Sequence, residues 1–208
     1  MKKKIIITGG LGYIGTELCK LYSGLSWYHN ILVIDNRFIS ERVNQLRNWN
    51  MNFLQGDILD KEMVKKNFKD ADVVHHLAGI TNVPRTQSEA VKSHDEKILS
   101  VAKDGTKNIL DAINDNCKII FPSTHVVYEG IGEVSKDIKE DEKLKPVLSY
   151  SQSKAINEKQ IKESKKNYVI LRLGSVYGYS TDTMRIDIMP NLFSKISSLN
   201  GTIKLFAG

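Results

Sequence analysis

Several things are scarce in this chain, and each scarcity closes a class of function. The 208 residues contain two cysteines, Cys19 and Cys117, and neither belongs to a C-x-x-C pair. A disulfide scaffold and a zinc ribbon are thereby set aside, and the usage fits a reduced, cytoplasmic protein. Five histidines show no ligand spacing, so no metal site is expected; His75 and His76 close an apolar strand and read as satisfied core groups. No apolar run approaches the roughly 20 residues needed to span a bilayer. Lys2 to Lys4 followed by isoleucines looks like the start of a signal peptide, but the apolar run stops at Thr8-Gly9-Gly10. The formal net charge of +6 comes from scattered lysines rather than an aromatic-interleaved basic stripe. Neither nucleic acid nor membrane is therefore an expected partner. No repeat and no low-complexity segment appears.

What is present is alternation. Ile5-Ile6-Ile7 reads as a strand buried on both faces, and Tyr13 to Tyr22 has helical apolar spacing. Further strands are expected at Ile31–Ile34, Met51–Asp57, Ala71–Gly79, Lys118–Phe121 and Tyr168–Arg172. Helices are expected at Lys61–Phe68, Glu96–Asn114, Tyr150–Lys165 and Met189–Ser198, with a mostly helical or irregular stretch at Asn36–Asn50. Residues 80–96, with Pro84, and the charged stretch Glu129–Lys145 read as loops, and Ile203–Phe206 as a last strand. This order implies an α/β fold of Rossmann-like type: a doubly wound parallel sheet with helices on both faces.

Between the first strand and helix stand Gly9, Gly12 and Gly15. Gly9 permits a tight turn, Gly12 lets the backbone approach a pyrophosphate, and Gly15 lets the helix pack closely. The helix N-terminus then offers N–H groups to phosphate. Asp35 follows Gly15 by 20 residues, at the end of the second strand, where an acid holds a ribose. Two further stretches carry chemistry. Ser123-Thr124 follow the fifth strand, at the carboxyl edge where open parallel sheets bind ligands. Tyr150 and Lys154 are i and i+4 on one helix face. A tyrosine with a free pKa of about 10 becomes a useful base only if a cation beside it favours the phenolate.

On these motifs the chain resembles the extended short-chain dehydrogenase/reductase family, the NAD-dependent epimerase/dehydratase group acting on nucleotide sugars. Thr8 to Gly15 is similar to its TGGxGxIG turn, and Asp35-Asn36 to its ribose-binding acid, which implies NAD rather than NADP. Gly56-Asp57-Ile58 resembles its adenine-contacting segment, and His76-Leu77-Ala78-Gly79 its HLAA strand end. Ser123 to Tyr128 resembles its SS-x-x-VYG segment and Leu171 to Gly178 its LRxxNVYG segment. The resemblance implies cofactor contacts from Gly9, Gly12, Tyr13, Ile14, Gly15, Asp35, Asn36, Asp57, Ile58, Leu77, Ala78, Gly79, Tyr150 and Lys154. It implies catalysis by Thr124, Tyr150 and Lys154, and substrate contacts from Ser123, Thr124 and Ser175. It implies residues 1–174 as the NAD-binding and catalytic domain, and 175–208 as the start of a substrate-binding region that family members continue beyond. A homodimer paired through the two long helices is also implied, with Ile98 or Ile161 exposed on a lone chain.

The family's 4,6-dehydratases carry an acid pair after the threonine; here His125 and Val126 stand there, and decarboxylating members need a glutamate at Val126. An epimerase or a simple 4-dehydrogenase remains, and a UDP-glucose 4-epimerase-like activity is the expectation. The other readings are a dehydratase or reductase of the same family, a dehydrogenase of a non-sugar alcohol, and a non-catalytic NAD-binding module. Departures from the family's pattern fall at Ala102, Glu129 and Ser175.

Overall fold

The computed structural model describes residues 2–81, 91–132, 137–180 and 183–204. Six strands form one sheet: β1 (Lys4–Thr8), β2 (Asn30–Asp35), β3 (Asn52–Gln55), β4 (Val73–His76), β5 (Lys118–Thr124) and β6 (Asn167–Leu173). Their order is β3-β2-β1-β4-β5-β6, and every pairing is parallel. The order reverses between β1 and β4, which opens a crevice at their carboxyl ends.

Side chains on a strand alternate between faces, and β1 uses both. Ile5 and Ile7 join Cys19 of α1 (Tyr13–Ser23) and Val43 and Leu46 of α2 (Ser40–Asn48) on one face. Ile6 joins Val64 and Phe68 of α3 (Lys61–Phe68), Ile109 of α4 (Lys92–Ala112) and Ile161 of α5 (Ser149–Glu163) on the other. Burying a side chain such as Phe68 completely contributes roughly 1.5–3 kcal/mol, so two such layers hold the sheet between its helices. A sixth helix, α6 (Met189–Ser198), begins with Pro190 in its first turn, where the missing N–H costs nothing.

The element order agrees with the sequence pattern, and the differences have physical causes. β5 runs on through Ser123 and Thr124 instead of ending at Phe121. Proline is compatible because β4 pairs β5 only as far as Ile120, so at Pro122 no ladder bond to β4 is lost. α4 starts four residues earlier than its apolar spacing suggested, on the polar turn Lys92 to Asp95, of which Lys92 and Ser93 are exposed. The stretch Glu129–Lys145 is not wholly irregular: a 3₁₀ helix spans His125–Ile131, and Gly130 N–H and Lys145 N–H bond across to Lys145 and Val127 carbonyls at 2.9 Å. Ile203 and Lys204 carry no strand, and Leu205, Phe206 and Pro84 lie outside the described residues. Ile98 and Ile161 are buried in the chain's own core at 2% and 0% exposure, so the expected apolar signature of a dimer face is not there. Among the described residues no helix is long and apolar enough to cross a membrane, and no cluster of metal-ligating side chains occurs.

Candidate active site

Every candidate cofactor, catalytic and substrate residue lines a single cleft of about 1270 Å³ at the carboxyl edge of the sheet. That exceeds the ~300–1,000 Å³ of an ordinary small-ligand pocket and is large enough for a dinucleotide with a second molecule beside it.

The glycine turn forms one end. Gly9 has φ of 66°, and a Cβ there would meet Ala78 N at 2.8 Å. Its N–H donates to Ile34 O at 2.7 Å, tying the turn to β2. A Cβ on Gly15 would lie 2.4 Å from Gly9 O and 2.6 Å from Gly10 Cα, so this glycine seats the helix on the turn itself rather than on the sheet. Gly10, given no role from the sequence, is the residue that packs on the sheet: a Cβ would come within 2.1 Å of Val33 Cγ1. A Cβ on Gly12 would lie 3.2 Å from Gly9 O, with the Arg37 guanidinium 4.0 Å away. Gly12 caps α1 with no side chain, leaving the first-turn N–H groups for an anion. These features fit a dinucleotide pyrophosphate.

Asp35 stands beside the turn, its carboxylate 4% exposed. Oδ2 accepts from Leu11 N–H at 3.0 Å; Oδ1 accepts from Arg37 N–H at 3.0 Å and Arg37 Nε at 3.2 Å. Asn36 donates to Asp57 at 3.3 Å, and Asp57 also accepts from Leu59 N–H at 3.0 Å. Ile58 is mostly core, packed where a Cβ on Gly105 would be 2.3 Å away. Leu77, Ala78 and Gly79 border the turn from β4, with Ala78 N–H donating to Thr8 Oγ1 at 3.1 Å. Ile14 is exposed in the cleft. Tyr13 is tied elsewhere: its hydroxyl donates to Gly178 O and accepts from Asn191 at 3.3 Å, docking the segment after Gly174 onto α1.

β5 and α5 form the other wall. Thr124 is 7% exposed, and its hydroxyl caps the 3₁₀ helix by accepting from Val126 N–H. Lys154 Nζ donates to Pro122 O at 2.9 Å, 4.7 Å above the Phe121 ring and 5.8 Å from the Tyr150 ring centre. Burial pushes the Lys154 ammonium down to about 8. Burial raises the Tyr150 phenol above its usual value, although the charge of Arg185 pulls it down. Desolvation outweighs Arg185, the one charge that lowers Tyr150, and the Lys154 ammonium is turned to the Pro122 carbonyl, so the expected lowering by Lys154 is not seen.

Ser123 lines the cleft with its donor already used: the hydroxyl donates to Glu158 Oε1 at 2.6 Å, which leaves its lone pairs for a ligand. Glu158 is 1% exposed and is gripped by Arg172 through Nε at 3.0 Å and Nη2 at 2.7 Å. Burial pulls the Glu158 carboxyl up, but Arg172, Ser123 and Lys162 outweigh it and hold it below the usual range. Ser175 is exposed at the cleft wall, with no hydrogen-bond partner among the described residues.

Further groups position the wall in roles that the sequence did not assign. Glu129 accepts from Val147 N–H and Leu148 N–H at 2.7 Å each and from Ser151 Oγ, capping the helix that carries Tyr150. A buried polar line runs from Thr8 to His76 (3.2 Å), to Thr106 (2.8 Å) and to Asn157 (2.6 Å), joining the glycine turn's strand to the catalytic helix. Burial, with a contribution from Lys154, pushes His76 down to about 3, so it is neutral. Glu158 and Asn157 lie one turn beyond Lys154, but only the fold shows what they meet.

Comparison with known proteins agrees with this geometry. The family described as the NAD dependent epimerase/dehydratase family matches residues 5–207. A UDP-glucose 4-epimerase of Lactobacillus helveticus is 28% identical over 218 residues, covering 98% of this chain and 63% of that protein. A dTDP-D-glucose 4,6-dehydratase of Dictyostelium discoideum is 28% identical over 197 residues, covering 85% and 44%. The crystal structure of a UDP-glucuronic acid 4-epimerase from Bacillus cereus, in complex with UDP-glucuronic acid and NAD, superposes with a TM-score of 0.77 at 28% identity, covering 98% of this chain and 66% of that one. The chain thus spans only part of the length of the relatives it matches. By its sheet order, its glycine turn and this match along almost its whole length, the chain belongs to the NAD-dependent epimerase/dehydratase family.

Proposed function

We propose that this chain is the NAD-binding and catalytic portion, residues 1–174, of a nucleotide-sugar 4-epimerase, with 175–208 opening the substrate-binding region. The observation that carries the reading is the convergence of Thr124, Tyr150 and Lys154 on the cleft that the glycine turn and Asp35 build. NAD, bound there, supplies a reversible hydride acceptor. The Tyr150 phenolate takes the proton of the sugar hydroxyl as that carbon is oxidised, and the phenol so formed returns it when the other epimer forms. Thr124, whose oxygen is aimed by its cap on Val126, orients the same hydroxyl. Lys154 is held on the cleft floor by Pro122 O and Phe121, and the charge of Arg185 favours the phenolate.

Val126 favours epimerisation over dehydration, since valine neither gives nor takes a proton where elimination of water needs an acid and a base. The relatives include both activities, so the assay must separate them. NAD with UDP-glucose, UDP-glucuronic acid and dTDP-glucose, followed by proton NMR, is the test. Interconversion at C4 without net NADH, lost in Tyr150→Phe, is the expected result. A 4-keto-6-deoxy product would establish the dehydratase. NAD binding without turnover of any sugar, unchanged by Tyr150→Phe, would establish a binding module. Pairing of two chains through α4 and α5 belongs to the same proposal; light scattering at the mass of one chain would refute it.

A further inference from the structure

Asp35 is the acid expected to receive the adenosine ribose, yet its carboxylate is already full. A carboxylate offers about four lone-pair sites. Leu11 N–H and Arg37 N–H take two from the backbone, and the Arg37 guanidinium takes the rest, through Nε at 3.2 Å and Nη2 at 3.5 Å. The two backbone donors are fixed by the turn and the strand end. The guanidinium is not, because the Arg37 side chain is 56% exposed. A ribose hydroxyl that donates to Asp35 must displace that guanidinium, which then stays beside the ribose 2′ oxygen on its tether.

The charge in this corner is accordingly not that of a bare acid. Arg37 balances Asp35, and Arg42 of α2 lines the same cleft and donates to Leu11 O. Asp57 is the opposing carboxylate in the corner, and its oxygens are turned to Asn36 and Leu59 N–H. An uncovered acid rejects a 2′-phosphate by like charge, whereas an exposed guanidinium lying over that acid meets the phosphate with a planar two-point donor.

We propose that Arg37 makes the Asp35 corner a 2′-phosphate subsite, so that this chain binds NADP as well as NAD. The inference rests on the reading of the cleft as a dinucleotide site and adds a second cofactor to it. Isothermal titration of the full chain with NAD and with NADP, repeated on Arg37→Ala and Arg37→Lys, tests it without any turnover. The expected result has NADP binding within about thirtyfold of NAD in the natural sequence. Arg37→Ala should weaken NADP at least about fivefold more than NAD, and Arg37→Lys should recover part of that difference as a point charge. Arg37 is a surface side chain, so both variants are expected to fold.

An NADP affinity more than about thirtyfold below that of NAD overturns the proposal, because Asp35 then governs the corner alone. A parallel loss of both dinucleotides in Arg37→Ala overturns it too, since the guanidinium would then serve the shared pyrophosphate. So does an NADP affinity unchanged by Arg37→Ala. Failure of both dinucleotides to bind the natural sequence would instead refute the dinucleotide site itself, and this subsite with it.

Discussion

The glycine turn and the catalytic wall face each other across one cleft, but they are built on opposite principles. The turn is positioned by the absence of side chains. Gly9, Gly10 and Gly15 sit where any Cβ would strike backbone or Val33 within 3 Å, and the turn's ties are backbone bonds such as Gly9 N–H to Ile34 O. The wall is positioned by side chains held by other side chains. Glu158 locks Ser123 and Arg172, Glu129 caps α5, and Lys154 reaches Pro122 O. A cradle for a cofactor needs close approach, whereas a base and its helpers need aim. The first comes from removing atoms, the second from pairing them.

The sharpest way to separate the two regions is to remove chemistry from the wall alone. Tyr150→Phe and Lys154→Met should each lower turnover by about 10²–10⁴-fold, the usual worth of a positioned acid–base group, with NAD titration little changed for Tyr150→Phe. Lys154→Met should also raise the melting temperature. The Lys154 ammonium titrates at about 8 when folded against 10.5 in the free side chain, so burial opposes its charge at neutral pH. Activity surviving in Tyr150→Phe would show that the wall is not catalytic.

Breaking the pairing should cost nearly as much. Glu158→Ala leaves the Arg172 guanidinium buried without its carboxylate, for a loss of about 3–5 kcal/mol by chemical denaturation. A loss below 1 kcal/mol would mean that the ion pair does not hold the wall.

The line linking the two regions predicts a pH dependence. His76 titrates at about 3 in the fold against 6.5 in the unfolded chain. Its stabilising contribution is complete above pH 6.5 and is lost as pH falls towards 3, because the unfolded chain takes up the proton first. Between pH 6.5 and 4.5 that amounts to about 2 kcal/mol. His76→Gln should flatten this slope in denaturation measured across the range; an unchanged slope would assign the acid sensitivity to other groups. The smallest effect is expected from Glu129→Ala, about 1 kcal/mol from a lost helix cap, with turnover falling more than NAD affinity. An equal fall in both would place Glu129 in the cofactor's half of the cleft.

Sequence alone sufficed for the sheet, the glycine turn, the Asp35 position and the Tyr150–Lys154 pair. Each is encoded within a few neighbouring residues: three isoleucines, glycines three apart, a tyrosine and lysine one helical turn apart. Period and spacing are local properties, and physical chemistry maps them onto strand, turn and helix face directly. Only tertiary structure decided that Ser123 serves Glu158, that Tyr13 holds Gly178, that Arg37 fills Asp35, and that burial raises Tyr150 instead of letting Lys154 lower it. Ser123 and Glu158 lie 35 residues apart in the chain and Tyr13 and Gly178 lie 165 apart, and the Arg37 guanidinium, though near in sequence, could point anywhere until the fold set it over the acid. A pKa depends on what surrounds a group in space, and neither that nor a long-range partner is written in any window of the sequence.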